Sequence, residues 1–172
     1  SWPVLPDTVL SGATEGYRVW LANCIQATLW AMSQPECASD RVSFFGSSQG
    51  GGGSLLLGSL FRDRGARSVC ADVAYMTNFP LAHSIGSYAV SRQALKALGD
   101  EERGWRTLGL IDTMSHAPRL TCPVLLTAGG VDTTCPPATI ESLFQKLPGT
   151  RCYTYLEGVG HRYTTQFIPL AT

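Results

Sequence analysis

Residues 41–61 read "RVSFFGSSQGGGGSLLLGSLF". The run 41–46 is β-rich and ends in Gly46. The stretch 53–61 has a helical pattern, and Gly50 to Gly53 stand at the opening of that helix. A glycine costs a helix up to about 1 kcal/mol relative to alanine. Four in succession imply that something comes very close to the backbone there. The pattern G-x-S-x-G fits one register, Gly46-Ser47-Ser48-Gln49-Gly50, because a register centred on Ser47 would need glycines where Phe45 and Gln49 stand. Ser48 is therefore the candidate nucleophile. A strand before it and a helix after it are what a nucleophile elbow requires. The tight turn needs small neighbours, and Gly46 and Gly50 are expected to let strand and helix pass close together. The first N–H groups of a helix lack intrahelical partners, and the N–H of Gln49, the residue after the serine, is a candidate oxyanion donor. No equally clear reason emerges for Gly51 to Gly53.

Outward from the elbow, short apolar runs alternate with helical patterns. "SVCADVAYM" (68–76), "CPVLLTAGG" (122–130) and "RCYTYLEG" (151–158) join 41–46 as predicted strands. Three of the four runs are nearly continuous, as in strands of a parallel sheet buried on both faces. Helices are predicted over 16–34, 53–61, 84–99, 136–147 and 162–170. In the first, Val19, Ala22, Ile25 or Gln26, Leu29 and Met32 are expected to share the inner face, and Pro35 ends it. Gly99 is a plausible stop for the third. Residues 100–120 read as polar and irregular, and 84–120 as a lid-like segment. The alternation predicts an α/β fold with a doubly wound, mostly parallel sheet in one domain.

The totals narrow the function classes. The chain has 172 residues, formal net charge +0, 44% apolar and 15% charged residues. It has no basic stripe of the kind that binds nucleic acid. No apolar run approaches the roughly 20 residues of a membrane span, and "SWPVLPDTVL" lacks the basic start and apolar core of a signal peptide. Six cysteines, at 24, 37, 70, 122, 135 and 152, form no CxxC and no Cys/His group with zinc-like spacing, so no metal is predicted. Free thiols in a reducing compartment are the expectation, with disulfides in a secreted protein as the rival. The localisation expected is cytoplasmic.

A serine hydroxyl needs a base, and the base an orienting acid. In a hydrolase of this topology the order is Ser, Asp, His, on loops at the carboxyl ends of strands. Of the three histidines, His161 in "LEGVGHRY" alone follows both a suitable serine and a suitable acid. His116 reads as a pocket or surface residue and His83 as structural. Asp132 directly follows the third strand in "GGVDTTCPP" and is the candidate acid. Asp72 lies within a strand, Asp112 suits a turn or cap, and Glu157 is a minor rival.

These residues sit in stretches that resemble a known family. "GSSQGGGGSLLL", "ADVAYMTNFPLA", "RTLGLIDTMSHAPRLTCPVLLTAGGVDTTCPPATI" and "YLEGVGHRYTTQF" look like the acetyl xylan esterase / cephalosporin C deacetylase family of α/β-hydrolases. "YRVWLANCIQATLWAMSQPECASDRVSFFG" resembles that family's helix and elbow strand. The resemblance runs from about Gly16 to Phe167. It implies hydrolysis of acetyl esters on sugars and antibiotics without metal or cofactor. By position it makes Ser48 the nucleophile, Asp132 the acid and His161 the base, with the Gln49 N–H as half of the oxyanion hole. Arg162 departs from the acidic residue common after the histidine, and His116 from the apolar or aromatic residue usual before Ala117-Pro118. The family has further strands on the N-terminal side, and its second oxyanion donor comes from a loop there. The expectation is thus about four strands, the C-terminal half of the sheet of a longer hydrolase, with "RVSFF" an open edge.

The predicted function is a serine esterase acting on a small acetyl ester. The alternatives are another α/β-hydrolase, dienelactone-hydrolase-like or a peptidase, and a non-catalytic fragment. Tyr75, Phe79, Trp105 and His116 are expected near the substrate. No nucleic-acid or membrane partner is expected. The resemblance also implies a closed homo-oligomer.

Overall fold

A computed structural model describes residues 15–163 and 165–171. The stretch read above for a leader lies outside them. Helix α1 (Glu15–Met32) leads to β1 (Val42–Ser47), α2 (Gln49–Leu60) and β2 (Ala66–Asp72). Then come α3 (Phe79–Ser84), α4 (Ala89–Leu98), α5 (Glu101–Gly109), α6 (Thr113–His116) and a 3₁₀ turn at Ala117–Arg119. The chain continues through β3 (Val124–Gly129), α7 (Pro137–Lys146), β4 (Arg151–Leu156) and α8 (Phe167–Ala171).

The four strands form one sheet in the order β1-β2-β3-β4, and every pairing is parallel. Each connection steps to the next neighbour, so the described strands lack the reversal of order that a doubly wound sheet contains. Phe44 stands opposite Val69 and Val69 opposite Val124. These residues face a core built with Leu55 of α2, Phe61 just after it, Leu120, and Ile140 and Leu143 of α7. The other face is less covered than the apolar runs imply. Its lateral row is Phe45, Cys70, Leu125 and Cys152. Phe45 is 52% exposed and Cys152 is exposed, while Cys70 and Leu125 are half-buried. At the carboxyl end Phe167 of α8 stacks on Phe45 at 4.7 Å between ring centres. The strands are therefore buried well on one side and partly on the other. β1 is an edge of the described sheet.

Three expectations about helices need correction. In α1 the inner face carries Trp20, Leu21, Ile25 and Met32, while Val19 and Leu29 are exposed. The expected stripe is rotated by about one position because the large Trp20 ring seats against α2, in contact distance of Gly53. The predicted helix 84–99 is two elements, α3 and α4, broken around Gly86 (φ 85°) and Tyr88 (φ 51°); Gly99, at φ 69°, does cap the second. Residues 100–120 are not irregular. They hold α5, capped by the Asp100 carboxylate accepting from Arg103 N–H, and α6, capped by Asp112 accepting from Met114 N–H. Helices α3 to α5 and neighbouring residues close a second apolar cluster around Phe79, Tyr88, Leu95, Leu108 and Ile111.

The glycines at the elbow are explained differently from the sequence reading. A Cβ on Gly46 would lie 2.3 Å from the backbone of Gly50, and one on Gly52 would lie 2.2 Å from the Tyr75 carbonyl oxygen. A Cβ on Gly50 itself would meet nothing within 4 Å. A Cβ on Gly51 would lie 2.9 Å from the Asp72 carbonyl oxygen. Close approach thus requires Gly46, Gly51 and Gly52, and Gly50 supplies only the backbone that Gly46 must clear.

Candidate active site

Ser48 lies between β1 and α2 at φ 55° and ψ −116°. A non-glycine residue there carries about 1–3 kcal/mol of backbone strain. The surroundings fix it from two directions: Ser48 N–H donates to the Asp72 carbonyl at 2.9 Å, and the Ser48 carbonyl accepts from Tyr75 N–H at 2.9 Å. Gln49 opens α2, so its N–H is among the first-turn donors without an intrahelical acceptor.

The loops after β3 and β4 run close together. Val131 N–H donates to the Val159 carbonyl at 3.0 Å and Gly130 N–H to the Leu156 carbonyl at 2.8 Å. A Cβ on Gly129 would come within 2.5 Å of the Val159 carbonyl, so the approach needs a glycine at the end of β3. This contact carries His161 across to Asp132. The His161 Nδ1 lies 2.8 Å from Asp132 Oδ2, and its Nε2 lies 2.9 Å from Ser48 Oγ. The Asp132 side chain has no exposure, while that of His161 keeps 27%. Asp132 Oδ1 accepts from Thr134 N–H and Cys135 N–H, both at 2.8 Å. Those two N–H groups hold the carboxylate so that its other oxygen faces the imidazole. With a proton on Nδ1 shared toward Asp132, Nε2 presents a lone pair to the serine hydroxyl.

The other acids and histidines fall elsewhere. Asp72 is fully buried and takes up the Ser47 hydroxyl at 2.8 Å and the Thr127 hydroxyl, bracing the elbow strand. Asp112 caps α6 and also accepts from Asn78 and Phe79 N–H at 2.9 and 2.8 Å; burial raises its pKa. His83 bonds Ser91 at 2.9 Å, and Glu157 is exposed. His116 does not line an open pocket. It is buried, with Nδ1 3.2 Å from Ser59 Oγ and Nε2 3.1 Å from the Leu110 carbonyl. The Ser59 hydroxyl of α2 and the Leu110 carbonyl after α5 thus take up both ring nitrogens.

The tentative pocket residues divide. Tyr75 is half-buried beside the Ser48 backbone, with its ring 4.5 Å from Tyr88, and burial pushes its hydroxyl pKa up to about 12. Phe79 and Trp105 line a cavity of about 350 Å³ with Asn78, Pro80, Leu108 and Met114. Ser48, Asp132 and His161 are not among its walls.

One neighbour of the site carried no sequence signal beyond its place three residues after Asp132. Cys135 is fully buried. Its sulfur, an Asp132 carboxylate oxygen and a His161 ring nitrogen all lie within 4.8 Å of one another. Burial, and next the Asp132 charge, push the thiol pKa far up.

A parallel sheet with a serine on a strained strand-to-helix turn, a buried aspartate after the third strand and a histidine after the fourth defines an α/β-hydrolase fold. Solved structures agree. An acetyl xylan esterase from Paenibacillus sp. R4 superposes with a TM-score of 0.84 at 24% identity, over 95% of this chain and 53% of its own. Acetyl xylan esterase 1 from Thermoanaerobacterium sp. JW/SL YS485 gives 0.76 at 24% identity, over 88% and 50%. Est1E from Butyrivibrio proteoclasticus gives 0.64 at 18% identity, over 88% and 64%. The chain spans about half the length of the two acetyl xylan esterases. Residues 11–170 match the acetyl xylan esterase (AXE1) family, and the chain belongs to that family.

Proposed function

We propose that this chain carries the nucleophile, base and acid of a serine esterase that removes acetyl groups from esterified sugars or related small acetyl esters. The observation that carries the reading is the continuous hydrogen-bonded chain from Ser48 Oγ through His161 to the buried Asp132. Membership of the acetyl xylan esterase family supports the acetyl ester as the substrate class.

In the proposed mechanism His161 Nε2 takes the Ser48 proton as Oγ attacks the ester carbonyl. Asp132 holds the Nδ1 tautomer and stabilises the imidazolium. The tetrahedral oxygen accepts a hydrogen bond from the Gln49 N–H. Collapse breaks the ester bond, and the alcohol leaves with the proton from His161. Water, deprotonated by the same imidazole, then attacks the acetyl-serine and releases acetate. Tyr75, beside the Ser48 backbone, is the residue best placed to border the substrate. The six unpaired thiols suit a reducing, cytoplasmic compartment. No helix among the described residues is long and apolar enough to cross a membrane.

Hydrolysis of p-nitrophenyl acetate tests the reading. Ser48→Ala is expected to remove the activity, and Asp132→Asn to lower kcat by about 10⁴-fold through the wrong imidazole tautomer. Equal rates for wild type and Ser48→Ala would remove Ser48 from the mechanism. Comparing acetylated xylo-oligosaccharide with a peptide amide separates the esterase from a peptidase on the same fold.

A further inference from the structure

We infer that Asp132, Cys135 and His161 form a binding site for a soft divalent cation, Zn²⁺ or Cd²⁺, and that such an ion switches the site off by occupying the imidazole. A carboxylate oxygen, a sulfur and an imidazole nitrogen are a donor set that zinc favours. In the fold all three atoms lie within 4.8 Å of one another. Zinc bonds of about 2.0–2.3 Å put tetrahedral donors roughly 3.3–3.8 Å apart. The widest of these separations therefore closes by about an ångström, and the 2.8 Å hydrogen bond between His161 Nδ1 and Asp132 Oδ2 gives way to the metal. The chain spacing hides this cluster, because Asp132 and Cys135 come from the β3–α7 loop and His161 from the loop after β4.

Two of the donors are already positioned. Asp132 Oδ1 accepts from the Cys135 N–H at 2.8 Å, so one backbone turn fixes the carboxylate and the cysteine relative to each other. Both residues are at least nine-tenths buried, Asp132 at 3% and Cys135 at 0% exposure. The His161 side chain, 27% exposed, is the route of entry and leaves a coordination position open toward solvent. On binding, the Cys135 thiol gives its proton to solvent and the thiolate joins the metal, while the imidazole keeps its single proton on the ring nitrogen that does not take the ion; the ion keeps its charge and nothing is oxidised or reduced. The inhibitory consequence rests on the esterase reading; the binding itself does not.

The test is a titration of the metal-stripped 172-residue chain with CdCl₂, following the thiolate-to-cadmium charge-transfer absorbance. The expected result is a band that saturates at one equivalent, is lost in Cys135→Ser, and persists in Cys152→Ser, the exposed thiol outside the cluster. Asp132→Asn, which keeps the thiol, is expected to weaken the dissociation constant by at least the roughly 10- to 100-fold that loss of an outer-shell partner costs. Circular dichroism checks that each variant is folded, and Cys135→Ala replaces Cys135→Ser if the latter is not. In parallel, Cd²⁺ is expected to slow fluorophosphonate labelling of the wild type and to leave labelling of Cys135→Ser unchanged. No band in the wild type, or a band that survives in the Cys135 variant, overturns the metal site. A saturating, Cys135-dependent band in a chain that never labels would leave the metal site standing and defeat the esterase reading instead.

Discussion

Ser48, His161 and Asp132 are far apart in the chain yet linked by two hydrogen bonds of 2.9 and 2.8 Å. Their candidacy was legible because strand-end loops and the order Ser, Asp, His are set by chain order alone. Cys135 was not legible, since its relation to His161 exists only once two loops meet. His116 was misread for a related reason: residue type cannot show that both ring nitrogens are satisfied inside the fold. That environment makes a prediction. Burial, and Arg119 as a further cation, lower the His116 pKa from 6.5, while the Leu110 carbonyl and Asp112 act the other way. The unfolded chain therefore takes up this proton at a higher pH than the folded one. The stability conferred by the neutral ring is fully present above pH 6.5 and is lost as pH falls from there toward the lowered folded value. Denaturant midpoints measured between pH 7.5 and about 5 should fall for the wild type and fall less steeply for His116→Gln, which is also less stable throughout. His83, lowered by burial and by Arg92, contributes in the same direction, so part of the slope remains.

At the scale of elements, the strands were readable because apolar runs bounded by glycine and proline have few alternatives. The helix breaks around Tyr88 and the start of α5 at Glu101 were not, because a left-handed turn at a tyrosine has no composition signature. The elbow glycines give a sharp contrast. Gly50→Ala meets nothing within 4 Å and removes a helix-propensity cost, so it should raise stability by about 0.5–1 kcal/mol. Gly52→Ala drives a methyl to 2.2 Å from the Tyr75 carbonyl and should cost about 1–3 kcal/mol, as overpacking does. On the proposed esterase reading it should also lower the hydrolysis rate, since Tyr75 N–H and the Ser48 carbonyl are bonded. Chemical denaturation of the two variants, with wild-type slope, checks both signs. Equal effects would mean that close approach is not what shapes the elbow.

For the whole molecule, the family and the fold were legible in four stretches of sequence, whereas the coverage of the second sheet face was not. Apolar runs alone suggested burial on both sides; Cys152 remains exposed, and Phe45 stays 52% exposed even with Phe167 of α8 stacked on it. The chain also spans about half the length of the acetyl xylan esterases it superposes on. On the proposed esterase reading the Gln49 N–H is the oxyanion donor identified among the described residues. A chain that works with that donor alone is expected to run about 10²–10³-fold below one with two, read as kcat on the same acetyl ester against an acetyl xylan esterase of the family. A rate equal to that of the longer enzymes would show that a second donor is already in place.

The most direct measurement is mass spectrometry of the chain after reaction with a fluorophosphonate, in wild type, Ser48→Ala and His161→Ala. One adduct is expected, on the peptide that contains Ser48, absent in Ser48→Ala and formed far more slowly in His161→Ala. An adduct on another residue, or labelling that is the same in all three proteins, would contradict it.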